Sequence, residues 1–266
     1  PFFMWYPTVL PHAELIVPED SIIRKFRGQY PETAFKGTEP GHPTFGKGGY
    51  YSQFHPHATF AAMIYRLDVY VGQLIRKLKE KGLYDNTIII FSSDNGPHRE
   101  GGADPDFFNS NGIYRGYKRD LYEGGIRVPM IVSWPGRVEA GTETDFMCSF
   151  WDILPTFEDI VASKTKQPET DGISLLPLLT DKKGQKEHDF LYFEFQEMNG
   201  KQAVRKGSWK LIYRNIRSDK PYYELYNLAS DPSEKYNLLG AYPEKTAELK
   251  TIMEREHRPD PNWSSF

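Results

Sequence analysis

The chain has 266 residues, a single cysteine and a formal net charge of −3, and 39% of its residues are hydrophobic. That suffices for one large globular domain or a large one with a small one, and the slightly acidic balance without a basic cluster argues against a nucleic-acid backbone as partner. No apolar run approaches the roughly 18 residues that a bilayer span needs, and Cys148 alone excludes an internal disulfide and a thiolate zinc site.

Phe2 to Tyr6 reads as a buried strand ending at Pro7, which leaves His12 near a strand end. A chain that opens inside a strand, with neither initiator methionine nor signal peptide before it, is expected to be a fragment or processed product of a longer polypeptide. Residues 18–57 are rich in proline, glycine and aromatics without a lasting period, and predict an irregular excursion with a short helix near Glu19 to Phe26. Phe60, Ile64, Leu67, Val71, Leu74 and Leu78 then recur at helical spacing, Lys77, Lys79 and Lys81 load the last turn, and Gly82 stops the helix.

Ile88 to Phe91 form a continuous apolar run, which predicts a strand buried on both faces of a mostly parallel sheet. Asp94 and Asn95 follow it and place two hard oxygen donors at the strand end, the edge where open α/β sheets bind ligands. Gly96 beside them allows a sharp turn. Lys118 lies in a glycine-bracketed loop, RGYKRD, that joins this strand end to the next strand, Val128 to Trp134, so it has the reach to return to the same edge.

A helix is expected over Phe150 to Val161, and Ser163 to Asp189, with an apolar patch at Ile173 to Leu179, reads as a link between domains. Phe190 to Phe195, Gln202 to Val204, Ser208 to Arg214 and Tyr222 to Leu228 are short strands of an antiparallel sheet, and Pro243 to Arg258 is a helix that packs on it. The division falls at 1–185 and 186–266.

Two oxygen donors suit calcium or magnesium, but a shell of roughly six ligands needs more. His12 is a candidate proton donor to an anion, because its charge switches near neutral pH. His98 and Arg99 follow the donor pair closely and are candidates for contact with a sugar or aryl group.

Taken together, PFFMWYPTVLPHAEL, TIIIFSSDNGPH, RGYKRDLYEGGIRVPMIVSWPG, DGISLLPLL and ELYNLASDPSEKYNL resemble successive segments of the sulfatase family, in the alkaline-phosphatase-like superfamily, over nearly the whole chain. The resemblance implies a partial layered α/β/α domain carrying a small C-terminal antiparallel sheet plus helix. It implies a sulfuric ester hydrolase of arylsulfatase type, with Asp94 and Asn95 ligating Ca2+ or Mg2+ and with His12 and Lys118 contacting the sulfate and its leaving oxygen. The nucleophile in that family is an oxygen of a hydrated formylglycine, and metal, lysine and histidine neutralise charge on the sulfuryl oxygens. The partner implied is a sulfate ester, and the resemblance to bacterial enzymes acting on glycans favours a sulfated carbohydrate and a periplasmic or secreted location.

The family's Cys- or Ser-x-Pro-x-Arg formylglycine site is expected upstream, in a missing N-terminal part of the same domain that would partner this chain. Cys148 does not serve, since Phe150 and Asp152 stand where the motif needs proline or alanine and arginine. Ser133, in Ser-Trp-Pro-Gly-Arg, fits the minimal motif but closes a strand downstream of the donor pair. The chain is therefore expected to hold half an active site and to be inactive alone. Two other readings are a phosphodiesterase or phosphatase of the same superfamily, and a noncatalytic glycan-binding module using the aromatic C-terminal strands.

Overall fold

A computed structural model describes every residue except 40, 42, 44–48, 163, 165–168 and 262–266. In chain order the elements are α1 (Ser21–Phe26), α2 (Pro56–Glu80), β1 (Ile89–Ser92), α3 (Glu123–Ile126), β2 (Met130–Ser133), α4 (Ile153–Val161) and α5 (Leu176–Leu179). They continue as β3 (Leu191–Phe195), β4 (Lys201–Lys206), β5 (Trp209–Arg214), β6 (Tyr222–Asn227) and α6 (Pro243–Glu256). The described residues form two compact units, the first from Pro1–Leu83, Asn95–Asp120 and Gly124–Arg127, the second from Tyr84–Asp94, Leu121–Glu123 and Val128–Phe266.

In the first unit, Asp20 caps α1 by accepting from the backbone amides of Ile22 and Ile23, and its other oxygen holds Arg66 of α2 at 2.8 Å. The N-terminus of α2 takes its cap from a distant residue: both carboxylate oxygens of Glu32 accept from the amides of His57 and Ala58, where the helix dipole favours negative charge. Ala58 and Ala62 are fully buried against Ile23, because their small side chains let the two helices approach. The aliphatic stripe that signals α2 in the sequence is only partly covered, with Ile64 at 44% and Leu74 at 37% exposure. Periodicity locates a helix but does not say which face a neighbour covers.

Phe2 to Tyr6 departs from expectation: it lies outside every strand of the described residues, and Trp5 is 74% exposed. Apolar and aromatic residues fit a strand surface, yet only ladder pairing makes a strand. Part of the excursion over residues 18–57 lies outside the described residues; within the rest, α1 forms and Phe35 and Gln53 make an isolated antiparallel bridge.

In the second unit, β1 and β2 pair antiparallel, Ile90 opposite Val132. This corrects the expected strand buried on both faces of a parallel sheet, since the pairing is antiparallel and Phe91 is 38% exposed. An unbroken apolar run does not encode the direction of its partner. A capping box between Ser149 and Asp152 starts the turn that runs into α4, and the fully buried Asp152 also accepts from the amide of Ile173 and from His188 Nε2. Of the segment Ser163 to Asp189, read as a link, residues 163 and 165–168 lie outside the described residues; α5 falls in its later part.

Strands β3 to β6 form a four-stranded antiparallel sheet in sequential order, as expected of short strand segments close in sequence. One face carries Val204, Leu211 and Leu225 against Leu249, Ile252 and Met253 of α6. A buried charge cluster also belongs to this unit. Lys210 of β5 lies 2.9 Å from both Glu123 and Glu234, and Arg205 of β4 lies 3.1 Å from the second oxygen of Glu123. Lys210 and Glu234 are 0% exposed and Glu123 is 1% exposed.

Candidate functional site

Loop 95–120 brings the sequence-predicted polar residues of the first unit together. The amide of Lys118 donates to the carbonyl of Pro97 at 2.8 Å, and Gly96 donates to the carbonyl of Gly125 at 2.9 Å, so the segment after the donor pair is stitched to both ends of the lysine loop. Gly96 is needed for this approach rather than for an unusual φ: a Cβ there would lie 1.8 Å from the carbonyl oxygen of Gly124. A Cβ on Gly124 would in turn lie 2.4 Å from the carbonyl oxygen of Gly116.

His12 and Lys118, 106 residues apart, meet with Nε2 and Nζ 2.7 Å from each other. The His12 Nδ1 faces the carbonyl of Ala13 at 2.6 Å, which accepts only, so Nδ1 carries the proton and Nε2 accepts from the Lys118 ammonium. The His12 ring stacks on that of His98 at 5.4 Å.

His98 is 7% exposed, and both its nitrogens are engaged: Nε2–H donates to the Pro11 carbonyl at 3.0 Å and Nδ1 accepts from the amide of Glu100 at 3.2 Å. That pattern belongs to the neutral ring. Burial pushes the His98 imidazole below its ordinary value, against the opposing pull of the Pro11 carbonyl and the Glu100 charge. The unfolded chain therefore takes up the proton more readily than the folded one. The stability that His98 contributes is complete above its unfolded value of about 6.5 and is lost as pH falls below it. We expect His98→Gln to flatten this part of the curve: between about pH 7.5 and 5.5 the denaturation midpoint of the wild type should fall more than that of the variant, and equal falls would contradict the assignment.

Arg99 is exposed and anchored sideways, its guanidinium 3.9 Å from the centre of the Tyr117 ring and ion-paired with Asp106, which also accepts from the Tyr117 hydroxyl. Asp94 and Asn95 fall in different units. Asp94 is exposed, and the side-chain amide of Asn95 donates to the carbonyl of Gly96 at 2.8 Å. A carboxylate and an amide oxygen have the chemistry for a hard cation. Among the described residues no group of three or more His, Cys, Asp or Glu stands ready to complete a shell.

Sequence reasoning passed over Glu100 and Arg119. Glu100 pairs through one oxygen with Arg119, while its second oxygen lies 3.4 Å from His98 Nδ1 and 3.7 Å from Lys118 Nζ. Burial alone would raise the Glu100 carboxyl; the hydrogen bond from Arg119 and the charges of Lys118, Arg119 and His98 outweigh it and hold the group below its ordinary value. In the sequence both residues look like ordinary loop charges, and only the glycine pair after Glu100 hints at tight packing. Ser133 is the last residue of β2, paired with Ile89, and a turn follows.

Among the described residues no helix is long and apolar enough to cross a membrane. The family model described as Sulfatase matches residues 1–162, and that described as N-sulphoglucosamine sulphohydrolase, C-terminal, matches residues 112–258. An N-acetylgalactosamine-6-O-sulfatase of Bacteroides thetaiotaomicron is 33% identical over 231 residues, covering 80% of this chain and 43% of the relative. A solved structure in complex with its substrate D-glucosamine-2-N,6-O-disulfate is 26% identical with a TM-score of 0.61, over 76% of this chain and 40% of that one. A structure bound to a neocarrahexaose aligns at a TM-score of 0.74 over 97% of this chain and 50% of that one; at 24% identity it speaks for the fold alone. The chain thus spans less than half the length of the curated relative.

Proposed function

The chain belongs to the sulfatase family, with an alkaline-phosphatase-like α/β fold, and from this premise we propose that the protein hydrolyses sulfate esters at the site built around His12 and Lys118. The observation that carries the reading is the 2.7 Å contact between His12 Nε2 and Lys118 Nζ, two side chains brought together from distant segments and supported by buried neighbours. Lys118 donates to a sulfuryl oxygen and offsets the charge that builds there. His12, fixed by the Ala13 carbonyl through Nδ1–H, presents Nε2 to the same place and, once protonated there, gives that proton to the leaving oxygen.

Asp94 and Asn95 would hold Ca2+ or Mg2+, and such an ion supplies Lewis-acid neutralisation of the sulfuryl oxygens. Formylglycine would supply the nucleophilic oxygen. Arg99, exposed and stacked on Tyr117, the residue before Lys118, contacts the part of the substrate beyond the sulfate, and His98 completes the binding wall from behind His12. A sulfated carbohydrate is the substrate class; the aminosugar sulfates named for two of the relatives support it. In this reading residues 1–185 are the C-terminal part of the catalytic α/β domain and residues 186–266 a small α+β subdomain, a division that follows the start of the four-stranded sheet at Leu191 and not the two compact units, of which the second takes in Val128–Phe266. A periplasmic or secreted location belongs to the same proposal. The testing experiment is release of inorganic sulfate from sulfated sugars by the natural protein, with phosphate esters alongside.

A further inference from the structure

We propose that Glu100 is a specificity-determining residue that tunes this site to singly charged anions, favouring a sulfate monoester over doubly charged phosphate esters and over free sulfate. The inference rests on the reading of His12 and Lys118 as the anion-binding pair. Its basis is a carboxylate where an anion site would be expected to have none. Glu100 has a side chain 14% exposed, one oxygen paired with Arg119, and a second oxygen that is buried, accepts no hydrogen bond among the described residues, and lies 3.7 Å from Lys118 Nζ. A carboxylate serving only as a structural anchor for Arg119 has no need to present that second oxygen to Lys118 and His98.

The charge count gives the consequence. His98 is neutral, because both nitrogens are committed to the Pro11 carbonyl and the Glu100 amide. His12 is neutral while Lys118 donates to it. Lys118 and Arg119 are cations and Glu100 is an anion, its carboxyl held ionised by those cations. These five side chains together contribute one net positive charge, and Glu100 is the one anion among them. A sulfate monoester carries one negative charge, whereas a phosphate monoester near neutral pH carries between one and a half and two.

An anion touching Lys118 Nζ lies no farther than about 6.5 Å from the free Glu100 oxygen, given the 3.7 Å separation and an ordinary hydrogen-bond length. Even at the dielectric of water, a charge at that distance changes binding by about three-fold per unit of anionic charge. Removing the carboxylate charge should therefore tighten a monoanion by about three-fold and a dianion by about the square of that factor, roughly ten-fold.

Isothermal titration of the natural protein with methyl sulfate and with inorganic sulfate, at low ionic strength, tests it on wild type, Glu100→Gln, Glu100→Asp and Lys118→Ala. Glutamine keeps the shape and can still accept from Arg119, so the comparison isolates charge and cancels any charge common to both proteins. The expected result is that E100Q tightens both anions, sulfate by about the square of the factor for methyl sulfate, while E100D keeps the wild-type ratio. Weaker binding of both anions by E100Q and E100D together would mean a structural role and overturn the proposal. Equal factors for the two anions in E100Q, with binding abolished in K118A, would overturn the Glu100 assignment alone. Wild type binding neither anion would overturn this proposal and the functional reading beneath it.

Discussion

Replacing Lys118 with alanine is expected to lower kcat/KM for sulfate ester hydrolysis by about 10²–10³-fold, measured in the natural protein. The magnitude follows from position. The Lys118 ammonium meets His12 Nε2 at 2.7 Å, the Glu100 carboxylate lies 3.7 Å from it, and its own backbone is tied to Pro97. Its location is thus set before substrate arrives, so little reorganisation is needed when charge develops on the sulfuryl oxygens. A loss concentrated in kcat would mark an interaction that strengthens in the transition state; a loss only in KM would mark uniform binding. His12→Ala should cost a similar factor and remove the limb of the pH profile in which rate depends on a protonated acid. Rates within a few-fold of wild type in both variants would remove the pair from the mechanism.

The largest expected effect on stability comes from Lys210→Met in the second unit. Lys210 bridges Glu123 and Glu234 at 2.9 Å each, and all three side chains are at most 1% exposed. Methionine fills similar space but leaves two carboxylates without their shared cation, and breaking a buried pair in this way costs roughly 3–5 kcal/mol. Arg205, 3.1 Å from Glu123, compensates one of the two, so Glu234 bears most of the loss. Burial already pushes the Glu234 carboxyl upward, opposed by the charge of Lys210. Without Lys210 that opposition disappears and the group escapes its penalty by taking a proton. The loss read from chemical denaturation should therefore be smaller at about pH 5 than at about pH 8. A variant within about 1 kcal/mol of wild type at both pH values would show that the cluster contributes little net stability.

Local chemistry made much of this molecule readable from its residues. The helices at α2 and α6 carry their own periodicity, and the strands β3 to β6 are short aromatic-rich segments joined by turns at short range, so element and partner lie close in sequence. Lys118 was legible as a residue able to reach a polar edge because glycines bracket its loop; the side chain it meets was not, since His12 lies more than a hundred positions away. The antiparallel pairing of β1 with β2 and the exposure of Phe2 to Tyr6 depend on which partners are available, and hydrophobicity does not carry that information. Glu100 and Arg119 were invisible for a related reason. Charges in a polar loop look solvated until tertiary contacts bury them.

The central claim is sulfuric ester hydrolysis at a site that includes His12 and Lys118. Its most direct test is ion chromatography of the products formed by the natural protein from sulfated aminosugars and an aryl sulfate, with matched phosphate esters as controls. Release of inorganic sulfate at a rate typical of an enzyme, lost in Lys118→Ala and not accompanied by comparable phosphate release, is the result predicted. Phosphate release exceeding sulfate release, or sulfate release unaffected by Lys118→Ala, would contradict it.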